Sequence, residues 1–287
     1  GNRRPRNAPL RTLKIGDEQL QMVIDSNFLK NVLHAIIPQN RILYRLCKHY
    51  VDLHNGDNNS SMETNGELHL MRHILPKCHT VFDVGANIGQ WASLALTINP
   101  QLLLYCFEPS RVTYERLLSN SFPPNVICNN LGMSSVPGQA KLFVFEDSAG
   151  INSLYRRDGL QSFGLSAQQQ EETVTLDTVD EYCQREGIQA IDFLKMDVEG
   201  HELEVMKGMS NMLEAGQIQI VQFEYGGCNI DAGVLLRDVL RFFDRFDYSF
   251  YKIYPTELRH IPCYDQRLEN FQYQNWAVIK NGSALQV

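Results

Sequence analysis

Three acids stand at the ends of apolar runs in this chain: Asp83 in "VFDVGANIGQ", Glu108 in "LLLYCFEP" and Asp197 in "IDFLKMDVEG". In an open parallel α/β sheet the carboxyl ends of the strands gather ligands, so acids placed there point into one crevice. Gly85 and Gly89 follow Asp83 and let the backbone turn tightly and pass close to a bound molecule. Glu108 closes the next strand, where a carboxylate can accept hydrogen bonds from both hydroxyls of a ribose. A dinucleotide needs its pyrophosphate cradled on a helix N-terminus, usually by G-x-G-x-x-G. Here Asn87 occupies the place of the second glycine, and Asp83 would repel a phosphate while suiting an amine. A ligand with a ribose, an ammonium group and no phosphate fits this pattern, and S-adenosylmethionine is one.

The elements that must carry these residues are legible from periodicity. "TVFDVG", "LLLYCFEP" and "NVICNNLGM" read as buried strands, and "IDFLKMDVEG" and "IQIVQFEY" as two more. Between them, "NIGQWASLALTIN" places Trp91, Leu94, Ala95 and Ile98 on one helical face, so Trp91 reads as core. "SRVTYERLLSN" reads as a helix with Ser110 as its N-cap, and "TLDTVDEYCQREG" as a capped helix. "HELEVMKGMSNMLEAG" reads as one helix ending at Gly216, and "LLRDVLRFFDRF" as an amphipathic helix with Leu235, Val239, Phe242 and Phe246 on its stripe. "QAKLFVFED" and "INSLY" look like additional β segments, "GLSAQQQEETV" like a polar loop, and "SFYKIYP" with "QNWAVIK" like a closing antiparallel pair. Alternation of strands and helices predicts a parallel, doubly wound sheet with right-handed crossovers.

Upstream, Glu18 to Ile37 and Asn40 to His54 read as helices, and Glu67 to Leu75 as a third, closed by Pro76. The breaker "HNGDNNSSMETNG" divides an N-terminal helical cap or interface element, residues 1–64, from a main domain, residues 65–287. The chain of 287 residues is 44% hydrophobic and 21% charged, which is ordinary for a globular protein. A net charge of −7 argues against a nucleic-acid partner. No apolar run reaches the ~18 residues of a membrane span. Seven cysteines without a C-x-x-C pair read as reduced thiols, and a cytoplasmic location is expected.

"VFDVGANIGQWASLA", "CFEPS", "TLDTVDEYC", "DFLKMDVEGHELEVMKGM" and "VQFEY", in this order, resemble the FkbM-type family of S-adenosylmethionine-dependent methyltransferases over roughly residues 65 to 280. The resemblance implies a Rossmann-like class I methyltransferase fold, α/β, with a seven-stranded, mostly parallel sheet and one antiparallel strand. It implies O-methylation of a hydroxyl on a carbohydrate or natural-product acceptor. By position, Asp83, Gly85, Ala86, Asn87 and Gly89 would hold the methionine moiety and sugar face, Glu108 with Pro109 the ribose, and Asn130 the adenine amino group. Glu67 and Asp197 would also face the cofactor, Asp197 at the methyl-transfer site.

The general base is open among Asp197, Glu199, His201 and Lys195. His201 has a suitable ordinary pKa but reads foremost as a surface histidine of the helix start. Lys195 qualifies only if burial depresses its pKa strongly. A Mg²⁺ held by Asp197, Glu199 and Glu224 is a less favoured alternative. An NAD(P)-dependent oxidoreductase, a non-catalytic cofactor-binding protein and a protein or nucleic-acid methyltransferase are the competing readings. The N-terminal helices would close the acceptor pocket or form a homodimer interface.

Overall fold

A computed structural model describes residues 31, 40–145, 149–157 and 169–285. The helix expected over Glu18–Ile37 lies outside the described residues, apart from Asn31 in helical conformation, as does the segment 158–168. The chain divides into two compact units, residues 1–51 and 52–287. Helix α1 (Arg41–Asn55) has no buried residue, and Ile42, Tyr44, Leu46, Tyr50 and Leu53 are exposed along it.

Within the second unit, α2 (Glu67–Ile74) precedes β1 (Thr80–Val84), α3 (Gln90–Ile98), β2 (Leu103–Phe107), α4 (Arg111–Leu118) and β3 (Val126–Asn129). The chain continues through β4 (Gly132–Met133), β5 (Gly138–Phe145), β6 (Gln169–Asp177), α5 (Val179–Glu186) and β7 (Ile191–Met196). Two short helices, α6 (Glu202–Lys207) and α7 (Ser210–Glu214), lead to β8 (Ile218–Tyr225), α8 (Cys228–Ala232) and α9 (Leu236–Phe243). The closing strands are β9 (Tyr248–Tyr254), β10 (Glu257–Ile261) and β11 (Gln274–Lys280).

The main sheet has the order β10-β9-β11-β8-β7-β1-β2-β3. Strands β3, β2, β1, β7 and β8 pair in parallel, and β11 runs antiparallel to both β8 and β9. This is the Rossmann-like α/β sheet of class I methyltransferases, seven strands with one reversed, to which β10 adds an antiparallel edge. A separate three-stranded sheet, β4-β6-β5, packs Leu142, Val174 and Leu176 together.

Each central strand is buried on both faces, which is why their sequences are nearly continuous apolar runs rather than alternating ones. Val81, Leu104, Phe193 and Ile220 face the cluster that includes α2 and α3. Phe82, Phe107, Leu194 and Val221 face the cluster around α5, α6 and α9. Parallel register then brings Asp83 opposite Lys195, and Lys195 opposite Gln222, on the α2–α3 face. An apolar layer thus gives way to a polar row just before the strands end.

Several local expectations are corrected. Gln169–Asp177, expected as polar loop and then helix, is a strand paired antiparallel to β5 from Gln169 to Leu176. "INSLY" is not a strand: Ala149–Ile151 form a 3-10 turn, with a single bridge from Ser153 to Phe143. The expected long helix after β7 breaks at Gly208, where a side chain would collide with the carbonyl oxygen of Ser134. Helix α9 buries Leu236, Val239, Leu240 and Phe243, a stripe rotated from the one expected; Phe242 and Phe246 sit at its margin. Ser110 stands at the N-cap of α4 without a side-chain capping bond, whereas Thr178 accepts from the Glu181 N–H at 3.0 Å and caps α5.

Candidate active site

The turn after β1 is built by steric necessity. Gly85 has φ 81°, and a Cβ there would collide with the carbonyl oxygen of Asp197 on the neighbouring strand end. The N–H groups of Gly85 and Ala86 both donate to the carbonyl oxygen of Phe107 at 2.9 Å, locking the turn to the end of β2. Asn87 continues in the left-handed region, φ 50°, and its N–H donates to Glu108 Oε2 at 3.0 Å. The other oxygen of Glu108 accepts from the Ser110 N–H at 3.0 Å. Two backbone donors therefore hold the carboxyl plane of Glu108, and each oxygen keeps a second lone-pair site. Burial pushes Glu108 up to about 7 against the pull of these two bonds.

Two adjoining clefts open at these strand ends. The narrower, about 640 Å³, has apolar walls from Phe107, Met133, Leu142, Leu154 and Leu176, with Glu108 at its edge. Its lining suits a planar heterocycle and a sugar. The wider, about 950 Å³, is lined among others by Met62, Glu67, Trp91, Lys195, Glu224 and Tyr273. Gly85, Asn87, Gly150, Asp197 and Glu199 belong to both walls. Pro109 lines the narrower cleft and Ala86 the wider one. Gly89 starts α3 with φ 83°, where a side chain would press on Leu117.

Asp83 lines neither cleft. It is fully buried, neither carboxyl oxygen has a hydrogen-bond partner, and the Lys195 ammonium lies 3.6 Å away. Burial raises its pKa, with Lys195 opposing. Lys195 also meets Asp197 Oδ2 at 3.4 Å. Burial pulls the lysine down, but Asp197, Asp83, Glu67 and Glu224 outweigh it and the net shift is upward. Lys195 is thus a fixed cation and is corrected from base candidate to counter-ion. Glu67, buried at the start of α2, accepts from Gln222 Nε2 at 2.7 Å, and burial raises its pKa as well.

His201 is not the surface residue expected. It is buried, with Nε2 2.9 Å from Ser134 Oγ and Nδ1 3.0 Å from the Tyr155 hydroxyl. Burial lowers it to about 4, so the ring is neutral at neutral pH and both nitrogens are engaged. Glu199 takes a left-handed φ of 52°, and Arg157 grips it at 2.6 Å while reaching Asp231 at 3.0 Å. Burial and the Asp197 charge push Glu199 up to about 8 against that pull. The Asn130 amide donates to the carbonyl oxygens of Glu108 and Pro109, both at 2.9 Å, so it braces the loop and lines neither cleft. Asp197, Glu199 and Glu224 do not assemble as a metal set, and no group of three or more potential ligands does among the described residues. The first two hold cations, and Glu224 accepts from the Tyr273 hydroxyl at 2.8 Å.

Sequence reasoning missed Arg157, Tyr155 and Gln222. Arg157 and Tyr155 sit in an aperiodic segment, but Gln222 was readable as a polar residue between Val221 and Phe223 in a largely apolar strand.

Residues 83–250 match the methyltransferase FkbM domain. The chain belongs to that family. It is 32% identical over 183 residues to the hexuronic acid methyltransferase AglP of Haloferax volcanii, covering 61% of this chain and 67% of that protein. It is 32% identical over 160 residues to the methyltransferase sdnD of Sordaria araneosa, covering 47% of this chain and 62% of that protein. It is 27% identical over 154 residues to the 31-O-demethyl-FK506 methyltransferase FkbM of Streptomyces tacrolimicus, covering 46% and 59%. The chain thus spans less than two thirds of the last two relatives. Among solved structures, methyltransferase FkbM from Methylobacillus flagellatus KT aligns at 14% identity and a TM-score of 0.43, over 70% of this chain and 43% of that one. The family match starts at Asp83, so Glu67 lies before it and Tyr273 after it. No helix among the described residues is long and apolar enough to cross a membrane.

Proposed function

We propose that this methyltransferase uses S-adenosylmethionine to methylate a hydroxyl of a carbohydrate or natural-product acceptor. The observation that carries the reading is Glu108: a carboxyl held by two backbone N–H groups, at the edge of an apolar slot, beside a turn with no room for a side chain at Gly85. Such a group is matched to a ribose diol, and the slot to an adenine. The buried, unpartnered Oδ1 of Asn87, a residue on the wall of both clefts, further suits a ligand with amine donors. The residues present therefore fit this cofactor.

When bound, the cofactor supplies an electrophilic methyl group on a sulfonium. The chain's own part is to orient the acceptor oxygen, take its proton and exclude water. Asp197 is the residue for the proton, since it stands on the shared wall of the two clefts and is half-exposed. Lys195 meets Asp197 Oδ2 at 3.4 Å and fixes its direction, and Asp83 holds Lys195 from behind. Leu142, Leu154 and Leu176 keep water from the slot.

Calorimetry with S-adenosylhomocysteine and NADH, followed by labelled-methyl transfer with and without EDTA, tests the reading. Binding of S-adenosylhomocysteine alone is expected, with transfer that survives EDTA. Binding of NADH without S-adenosylhomocysteine would sink it in favour of an oxidoreductase.

A further inference from the structure

Asn130, the residue expected at the base, spends its amide on two backbone carbonyls and lines neither cleft. A second asparagine, Asn152, does stand on the wall of the narrower cleft. It belongs to residues 149–157, between β5 and β6, and the side chains around it are anchors. Ser153 is buried and exchanges backbone hydrogen bonds with Phe143 of β5 at 2.8 and 3.1 Å. Its hydroxyl donates to the carbonyl oxygen of Glu199 at 2.8 Å. The Tyr155 hydroxyl meets His201 Nδ1 at 3.0 Å, and Arg157 reaches Glu199 and Asp231. Along an extended backbone, neighbouring side chains point to opposite sides. Asn152 and Leu154 accordingly alternate with Ser153 and Tyr155, and both line the cleft.

The amide of Asn152 has one orientation. The Phe145 N–H donates to its Oδ1 at 3.1 Å, and a backbone N–H can only donate, so the oxygen must face it. That leaves Nδ2, which is shut off from solvent and has no partner among the described residues. A buried donor left unpaired is costly, so an unpaired one on a cleft wall points to a ligand that completes it. The cleft's other side chains say what kind. Phe107, Met133, Leu142, Leu154 and Leu176 suit the faces of a flat ring, and His201 has both ring nitrogens engaged. A purine answers both features, because its unprotonated ring nitrogens only accept.

Building on the assignment of the narrower cleft to the nucleoside, we infer that Asn152 is a specificity-determining residue of that cleft, its Nδ2 donating to an unprotonated ring nitrogen of the adenine.

Calorimetry on the full chain with S-adenosylhomocysteine and its 1-deaza, 3-deaza and 7-deaza analogues tests this. The analogue that lacks the nitrogen facing Asn152 should bind roughly tenfold or more weakly than S-adenosylhomocysteine. Asn152→Ala should weaken S-adenosylhomocysteine by a similar factor and bring those two ligands within about threefold of each other. Asn152→Asp keeps an oxygen for the Phe145 N–H while removing the donor. In that variant the sensitive analogue should bind at least as tightly as S-adenosylhomocysteine. Equal binding of all four ligands by the parent protein overturns the inference, as does a deaza penalty that persists unchanged in both variants. If S-adenosylhomocysteine itself does not bind, the cofactor reading falls and takes this inference with it, and that first titration separates the two failures.

Discussion

Truncating Glu108 to alanine isolates the contribution of the carboxyl proposed to face the cofactor. Its two oxygens each accept one backbone N–H at 3.0 Å, from Asn87 and Ser110, which leaves two lone-pair sites for a diol. A hydrogen bond to a charged group contributes about 1.5–3 kcal/mol, and two on one carboxylate are not additive. Glu108→Ala should therefore weaken S-adenosylhomocysteine binding by about 2–4 kcal/mol, or roughly 30- to 700-fold. Burial gives the same group a pH signature. Its folded-state value of about 7 lies above the ordinary carboxylate value, so between the two the folded protein binds more protons than the unfolded chain. The contribution of Glu108 to stability without ligand is thus greatest at acid pH and declines as pH rises toward 7. A diol that prefers the ionised form must expel the proton, so binding should tighten from pH 6 to pH 8. At pH 6.5 it should release roughly three-quarters of a proton. Calorimetry in buffers of different ionisation enthalpy reads that proton directly. Unchanged affinity in Glu108→Ala, with no proton release at pH 6.5 in the parent protein, refutes the assignment.

Other perturbations act on the layers beneath. Gly85→Ala drives a methyl group into the Asp197 carbonyl oxygen and should abolish measurable S-adenosylhomocysteine binding, with a lowered melting temperature; a normal melt and normal affinity would contradict the turn geometry. Lys195→Met strands Asp83 without a counter-ion and should cost about 3–5 kcal/mol in denaturant unfolding. The double variant Asp83→Leu with Lys195→Met should recover most of that stability without recovering turnover, and recovery of both would reduce the pair to packing. Arg157→Ala frees Glu199 and Asp231 and should raise the acceptor KM more than it lowers stability; an effect on melting alone would leave Arg157 a purely structural tie.

What could be read from the sequence divides along a physical line. Apolar runs and period-3.6 patterns are local, so β1, β2, β7, β8 and the helices α3, α4 and α5 were legible. Glu108 and Asp197 were legible for a related reason, since each follows the last residue of a buried strand and lines the crevice, whereas Asp83, inside β1, does not reach it. Register is not local. Lys195 and Asp197 could be placed on one face by parity, but the pairing of Asp83 with Lys195 depends on β1 and β7 being neighbours without slip. That pairing reverses the role of Lys195 from base to fixed cation. His201 was misread because its burial comes from Tyr155 and Ser134, distant in sequence, and no pattern near the helix start records them. Gln169–Asp177 was misread because its exposed face carries Gln, Glu and Thr, and only pairing with β5 makes it a strand.

The row Asp83, Lys195 and Gln222 is hard to explain as stabilisation. Apolar pairs of similar size usually serve a core as well as or better than a buried ion pair, since two desolvated charges return little beyond what their attraction offsets. Asp83 in particular has no hydrogen bond to compensate its burial. The arrangement does have one consequence that an apolar row lacks. An ammonium held from behind by Asp83 at 3.6 Å also meets Asp197 Oδ2 at 3.4 Å, and so fixes the position of the acid that stands on both cleft walls. The cost of burying Asp83 is therefore best accounted for by what it does to Asp197, two residues beyond Lys195 on the same strand end.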